Sequence, residues 1–474
     1  MRRILVVILS ALLGAGLASP AAQATASEPD LHVVSGWNAL ALDAARLTRA
    51  SDADAARLYA LVNVAIYDAV NGIGGTHAPA LITERGPRHA DPQAAAAAAA
   101  HAVLVRADAV RVPLYDTRLA ADLAALRRGP ASATRERDTA GTAQRLGASD
   151  ERLGASDAGR SHEASDAGRN HETSNAGRSH EASGAGWGHG VDSGAAWGAR
   201  VGAAVVDARA DDGSTPGEQQ PAGSGPGVFR AAWSGVQYRN VRPFAITDPA
   251  RYVPAPQPAL DSAVYATAYA EVAELGDATV DRPDLLATYQ FWSLPAGSSQ
   301  PPGEWLRIAL TVAGERHLRL ADEARLGALL TMALADTTVV TVATKFTYRH
   351  WRPTTAIRET TDPAWTARAG SVGSSPEYVS GHSSYSGAAA TVLAGFFHSD
   401  RIAFTHATDS APGGVARSYP GFWAAATEAG RSRVYGGLHF DFSNRAGLSA
   451  GSAVGREVLT RSARSVSTTS ATSR

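Results

Sequence analysis

The stretch Leu326-Gly-Ala-Leu-Leu-Thr-Met-Ala-Leu-Ala-Asp-Thr-Thr-Val-Val-Thr-Val-Ala-Thr344 decides the fold class. It is long and mostly apolar, yet it carries Asp336 and five threonines. A helix facing lipid would bury those groups at high cost. Read with its flanks, Ala321 to about Tyr348 is the longest helix of the chain and the centre of a helical bundle. Directly after Thr344 comes Lys345-Phe-Thr-Tyr-Arg-His-Trp-Arg352-Pro353. Lys345 is the single lysine among 44 lysines and arginines. Pro353 biases Arg352 away from helical backbone.

Two later blocks complete a set of anion-binding groups. Ser380-Gly381-His382 heads a small-residue helix over 383–397. Ser432-Arg433 ends a helix over 421–434, and His439 follows the break at Gly436-Gly437. A phosphate or vanadate group presents negative oxygens in several directions. Arginine meets them with a planar fork, lysine with a compact charge. Lys345, Arg352 and Arg433 supply that charge. Backbone N–H groups at a helix start favour an anion. Gly381 lets the backbone come close, and Ser380 adds a hydroxyl. His439 would bind or attack the central atom. His382 would act as acid or base on the opposite side. Arg-Pro, Ser-Gly-His and a histidine after Gly-Gly are each common alone. Their order, with the lone lysine inside it, points to an oxyanion site.

Working outward, the chain reads as helical at 33–72, from Asp91-Pro92 to about Val110, and at 114–128. Further helices are expected at 195–210, 261–275, 283–293, 304–319 and 444–459. No run alternates convincingly as a strand, so the fold class is all-α. Between 147 and 190 the composition changes to a nine-residue repeat, Ala155-Ser-Asp-Ala-Gly-Arg-Ser-His-Glu163 and its copies. It has no apolar periodicity, so a disordered and dispensable insertion is expected there. Its histidines (His162, His171, His180, His189) allow a metal-binding reading, but a duplicated spacer whose histidines come along with the repeat is the reading favoured.

Net charge is -1, which favours neither nucleic acid nor an acidic partner. Cysteine is absent, which excludes disulfides and thiolate metal sites. Met1-Arg2-Arg3, the apolar run Ile4–Leu17 and small-x-small sites around Ala22–Ala26 form a secretory signal peptide. The organisation expected is a signal peptide (1–26), an N-terminal helical part (33–146), the repeat insertion (147–190), a helical catalytic part (191–460) and a disordered tail (461–474). The mature protein is expected to be secreted, with no membrane attachment.

The pattern Lys345-x6-Arg352-Pro353, Ser380-Gly381-His382, Ser432-Arg433-x5-His439 resembles the signature shared by vanadium-dependent haloperoxidases, bacterial acid phosphatases and type-2 phosphatidic acid phosphatases. Trp351 before Arg352, Pro376-Glu-Tyr-Val-Ser-Gly-His382 and Ser432–Phe440 resemble the bacterial haloperoxidase branch. The likeness runs loosely from about Trp37 to Gly455 and skips the repeat.

That branch implies two four-helix bundles with the active site in the C-terminal one. It implies vanadate on His439, with oxygens held by Lys345, Arg352, Ser380, Gly381 and Arg433. It also implies that His382 moves the proton of hydrogen peroxide, that Lys345 polarises the peroxide, and that halide is oxidised to a hypohalous acid equivalent. The small-molecule partners are then hydrogen peroxide, halide and an organic acceptor. An acid phosphatase working through a phosphohistidine would use the same residues. A non-catalytic anion- or metal-binding protein is the remaining reading. Four residues after the final histidine the family often has an acid; here stands Ser443, with Asp441 nearby. Seven before His382, where it often has an aromatic residue or histidine, stands Ser375.

Overall fold

Asp68 and Asp336 show how this chain is built. Both are buried in the middle of long helices. Asp68 lies on α2 (Asp52–Gly74) and accepts from the backbone N–H groups of Ala80, Leu81 and Ile82 at 2.7, 2.8 and 2.8 Å. Asp336 lies on α9 (Leu320–Tyr348) and accepts from Phe244, Ala245 and Ile246 at 2.6, 2.8 and 2.9 Å. Each carboxylate answers three otherwise unpaired donors, which offsets its own burial. The two helices pack against each other and share one hydrophobic core.

The structure is a computed structural model that describes residues 33–128 and 176–462, without the side chains of 176–187, 412 and 462. The expected signal peptide, the repeat up to residue 175 and the tail beyond 462 lie outside the described residues. Those from Val33 on belong to one compact unit. It holds thirteen α-helices among the described residues, in agreement with the all-α reading. Two short antiparallel pairs were not expected: Gln219–Gln220 with Trp233–Ser234, and Phe404–Ala407 with Ala416–Tyr419. Four residues of alternating burial are too few to read as a strand.

The stretch expected to be helical over 33–72 is two helices, α1 (Val33–Thr48) and α2. Arg49 breaks them at φ 52°, and Ser51 caps α2 by accepting from Asp54 N at 3.1 Å. Next come α3 (Pro92–Ala107), capped by Asp91, and α4 (Val112–Arg128). The insertion expected over 147–190 needs correction at its end. Helix α5 spans Ala176–Ala208, so residues 176–190 are helical, and with 33 residues it is longer than α9, with 29, which was expected to be the longest. Gly190 O accepts from Asp91 N at 2.9 Å, and the exposed His189 ring stacks on His89 at 6.0 Å. Packing on α3 organises what local composition does not. A deletion reaching Gly190 would remove the start of this helix.

Glycines set the closest helix contacts. A Cβ on Gly194, Gly198 or Gly202 of α5 would collide with the backbone of Asp91, Ala95 and Ala99, respectively, along α3. The same spacing recurs between α13 (Asp441–Ser462) and α11 (Gly381–Phe396). There Gly447, Gly451 and Gly455 lie on the carbonyls of Ser380, Ser384 and Ala388. In both pairs the first glycine covers the residue that caps the partner helix, Asp91 or Ser380.

The remaining helices are α6 (Ala263–Leu275), α7 (Pro283–Phe291), α8 (Gln300–Glu315), α10 (Pro353–Thr360) and α12 (Phe422–Tyr435). Helix α9 is long and apolar enough to cross a membrane, but 94% of its most apolar window is buried inside the protein. It ends at Arg349, which takes φ 50° and donates its N–H to Lys345 O at 3.0 Å. Arg352 is extended, at φ -82° and ψ 154°, and Pro353 opens α10. The chain therefore reverses just after Lys345 and brings Arg352 back toward it.

Candidate active site

Lys345 leaves the last turn of α9 pointing inward. It is 6% exposed, and Nζ donates to Pro376 O. Arg352 spreads its fork over the same loop: Nε donates to Ser375 O at 2.8 Å, and Nη1 to Leu438 O at 2.9 Å. Gly373 makes this fit. It has φ 93°, and a Cβ there would stand 2.7 Å from Arg352 Cζ. Arg433, on the last turn of α12, donates from Nη1 to Trp292 O at 3.3 Å and lies 5.3 Å from the centre of the Tyr289 ring. Its buried Nε has no hydrogen-bond partner.

His439 follows a turn in which Gly437 has φ 72°. Its Nδ1 lies 3.0 Å from Glu377 Oε1, which also accepts from Phe440 N at 3.0 Å. A carboxylate oxygen only accepts, so Nδ1 carries the hydrogen. Nε2 keeps its lone pair, toward which Arg352 Nη1 points at 3.0 Å. His382 is the second residue of α11, and its Nε2 lies 3.2 Å from Ser293 O. By the same logic Nε2 donates and Nδ1 holds the lone pair. Ser380 caps α11, accepting from Ser383 N at 3.3 Å.

All seven residues expected at the site, Lys345, Arg352, Ser380, Gly381, His382, Arg433 and His439, are thus brought together. Glu377, which orients His439, was not assigned that part from sequence. Neither neighbour of the final histidine takes it: Ser443 Oγ donates to the Glu377 backbone carbonyl at 3.3 Å, and Asp441 pairs with Arg431 at 2.9 Å. The signal was present in Pro376-Glu-Tyr-Val-Ser-Gly-His382, but nothing in that block says which way its one carboxylate turns.

The site is short of negative charge. Burial and then the neighbouring Arg352 push the Lys345 ammonium down to about 7. Burial lowers Arg352 and Arg433 to about 10. It also raises Glu377 to about 7, against the pull of Arg352 and Lys345. Both histidines are held well below their ordinary range, His439 by burial and then Arg352, His382 by burial and then Arg433. Three buried cations face a single buried carboxylate, an orphaned guanidinium nitrogen and a helix start where Gly381 leaves room. This donor set fits a tetrahedral oxyanion, with His439 Nε2 available to its central atom.

Residues 325–468 match a family model, the VCPO second helical-bundle domain. The resemblance read from the motif holds. The chain is also similar to the solved structure of the first bacterial vanadium-dependent iodoperoxidase. That match has 20% identity and TM-score 0.69, covering 92% of this chain and 98% of the other. A bacterial vanadium-dependent chloroperoxidase matches in its holo form at 17% identity and TM-score 0.57, covering 86% and 91%. Its apo form matches at 17% and 0.58, covering 86% and 93%. No curated protein sequence matches the chain. At these identities the solved haloperoxidases show a shared helical fold, and the family match spans all seven motif residues.

Proposed function

We propose that this protein is an exported vanadium-dependent haloperoxidase that oxidises halide with hydrogen peroxide. The observation that carries the reading is His439. Glu377 fixes its tautomer, so Nε2 offers a lone pair in the middle of three buried cations. Lys345, Arg352, Arg433, Ser380 and the N–H of Gly381 would hold the vanadate oxygens, and His439 Nε2 would ligate the vanadium. Bound there, vanadate would supply Lewis-acid chemistry that activates peroxide toward halide with no change in its own oxidation state. Arg352, which donates to Nε2 here, would donate to the anion instead. His382, neutral and with Nδ1 free, accepts the proton that hydrogen peroxide must lose. Lys345 places a compact positive charge against one oxygen and draws electron density from it. Export rests on Met1–Ala26.

The test uses the full protein freed of bound oxyanion. Vanadate, peroxide and bromide together should brominate a phenol indicator, and excess phosphate should suppress this. His439→Ala should abolish the response. His382→Ala should keep bound vanadate and lose most turnover. If vanadate only inhibits, and a phosphate ester is hydrolysed through a trapped phosphohistidine, the phosphatase reading replaces this one. N-terminal sequencing of secreted material should show cleavage near Ala26.

A further inference from the structure

Helix α2 brings one carboxylate beside this site. Asp52 is the first residue of α2, and its Oδ1 accepts from Ala53 N at 2.9 Å. Oδ2 is turned to the start of α11. A Cβ on Gly381 would stand 3.7 Å from it and meet no other side chain or neighbouring backbone within 4 Å. The Asp52 side chain is open to solvent, yet protein surrounds the carboxylate closely enough for burial to raise its pKa, against the field of Lys345. It stands beside Gly381 and within the field of Lys345, two groups of the oxyanion cradle that come from different helices. Lys345, Arg352, Arg433 and the N–H groups of α11 all give hydrogen bonds. Asp52 Oδ2 can only accept one.

We infer that Asp52 is a specificity-determining residue, the acceptor that makes this site prefer an oxyanion carrying a hydroxyl. Hydrogen phosphate and hydrogen vanadate keep an O–H at neutral pH, which can donate to Oδ2. Sulfate has none. Its oxygen would meet the carboxylate lone pair to lone pair, charge against like charge. A mismatch of that kind discriminates more strongly than a difference in size.

This inference rests on the oxyanion reading of the site. The experiment is calorimetric binding of inorganic phosphate and of sulfate to the full, oxyanion-free protein at pH 7 and low salt. Wild type should favour phosphate. Asp52→Asn, whose amide can donate to sulfate, should shrink the phosphate-to-sulfate ratio by at least ~10-fold, mainly by tightening sulfate. Asp52→Ala should also shrink it, and Asp52→Glu should retain most of it. Because the inference is read from a ratio, a general loss of order at the helix start would not imitate it. An unchanged ratio in both Asp52→Asn and Asp52→Ala, with phosphate still bound, overturns the role of Asp52 alone. Arg352→Ala should lose both anions. If wild type binds neither, or Arg352→Ala binds both as wild type does, the oxyanion reading fails and this inference with it.

Discussion

Replacing Lys345 by methionine should make the protein more stable and empty it of function. The side chain is 6% exposed, and its hydrogen bond goes to Pro376 O. Burial and Arg352 lower its pKa from 10.5 to about 7. At about 1.4 kcal/mol per tenfold, that shift caps the cost of keeping the ammonium charged at roughly 5 kcal/mol. Methionine leaves Pro376 O without a donor, which costs about 1–3 kcal/mol. It also removes a cation that Glu377 and Asp52 both feel. The net expectation is a gain of about 1–3 kcal/mol at pH 6, seen as a rise of about 1–5 °C in thermal midpoint. The pH dependence fixes the sign. The unfolded chain binds this proton up to its ordinary pKa of 10.5, the folded one only up to about 7. The penalty is therefore whole below about 7 and fades as pH climbs toward 10.5, so the advantage of the variant should fade along the same range. Thermal unfolding at several pH values, with phosphate calorimetry on the same samples, reads both halves. A Lys345→Met protein that is less stable at pH 6, or that binds phosphate like wild type, refutes the account.

Lys345→Arg should lower oxyanion affinity or turnover by at least ~10-fold, because a guanidinium cannot place a compact charge against one oxygen; vanadate titration measures it. Glu377→Gln keeps an acceptor for His439 but removes the charge behind it, and should cost about 10–100-fold in vanadate affinity or activity with the fold intact by circular dichroism. Gly373→Ala must displace Arg352 or the loop and adopt φ 93° with a side chain. It should lose ~1–3 kcal/mol of stability and weaken phosphate binding measurably by calorimetry. Glu304 is buried against His406 and Arg307, both at 2.7 Å, and stays below its usual pKa despite its burial because His406 and Arg307 pair with it. Its stabilisation should be intact above pH ~4.3 and lost on acidification through its lower folded pKa, and Glu304→Ala should cost about 3–5 kcal/mol in denaturant titration.

The sequence made the donors of the site legible because their chemistry is local. A lysine, two arginines, a Ser-Gly turn and two histidines state what they bind whichever way the chain folds between them. The acceptors were not legible. Glu377 matters only because the loop from Gly373 to Val379 turns it toward His439, and Asp52 only because α2 begins beside α11. A carboxylate at a helix start reads as a helix start until its neighbours are known. Helix boundaries followed capping signals such as Ser51, Asp91 and Pro353. Helix α5 reached back into the repeat because its glycines, poor helix formers by themselves, are held by contact with α3. The hairpin joining Phe404–Ala407 to Ala416–Tyr419 escaped because its anchor, His406 on Glu304, is a tertiary contact.

Those glycine seams bear on how the chain tolerates change. Gly194, Gly198 and Gly202 rest on the main chain of α3, where Ala94 to Ala100 is an unbroken run of buried alanine. By composition this is the plainest text in the protein, and a random methyl group added to it would look harmless. At this spacing there is no slack for one. Each added carbon on those glycines must wedge two helices apart along their whole length. The seam between α13 and α11 is built alike, so a wedge there would also tilt the helix start that presents Ser380 and Gly381. A saturation library should therefore find its deepest losses in these monotonous stretches as well as at the charged residues, and at Gly447 it should find activity falling before the fold does.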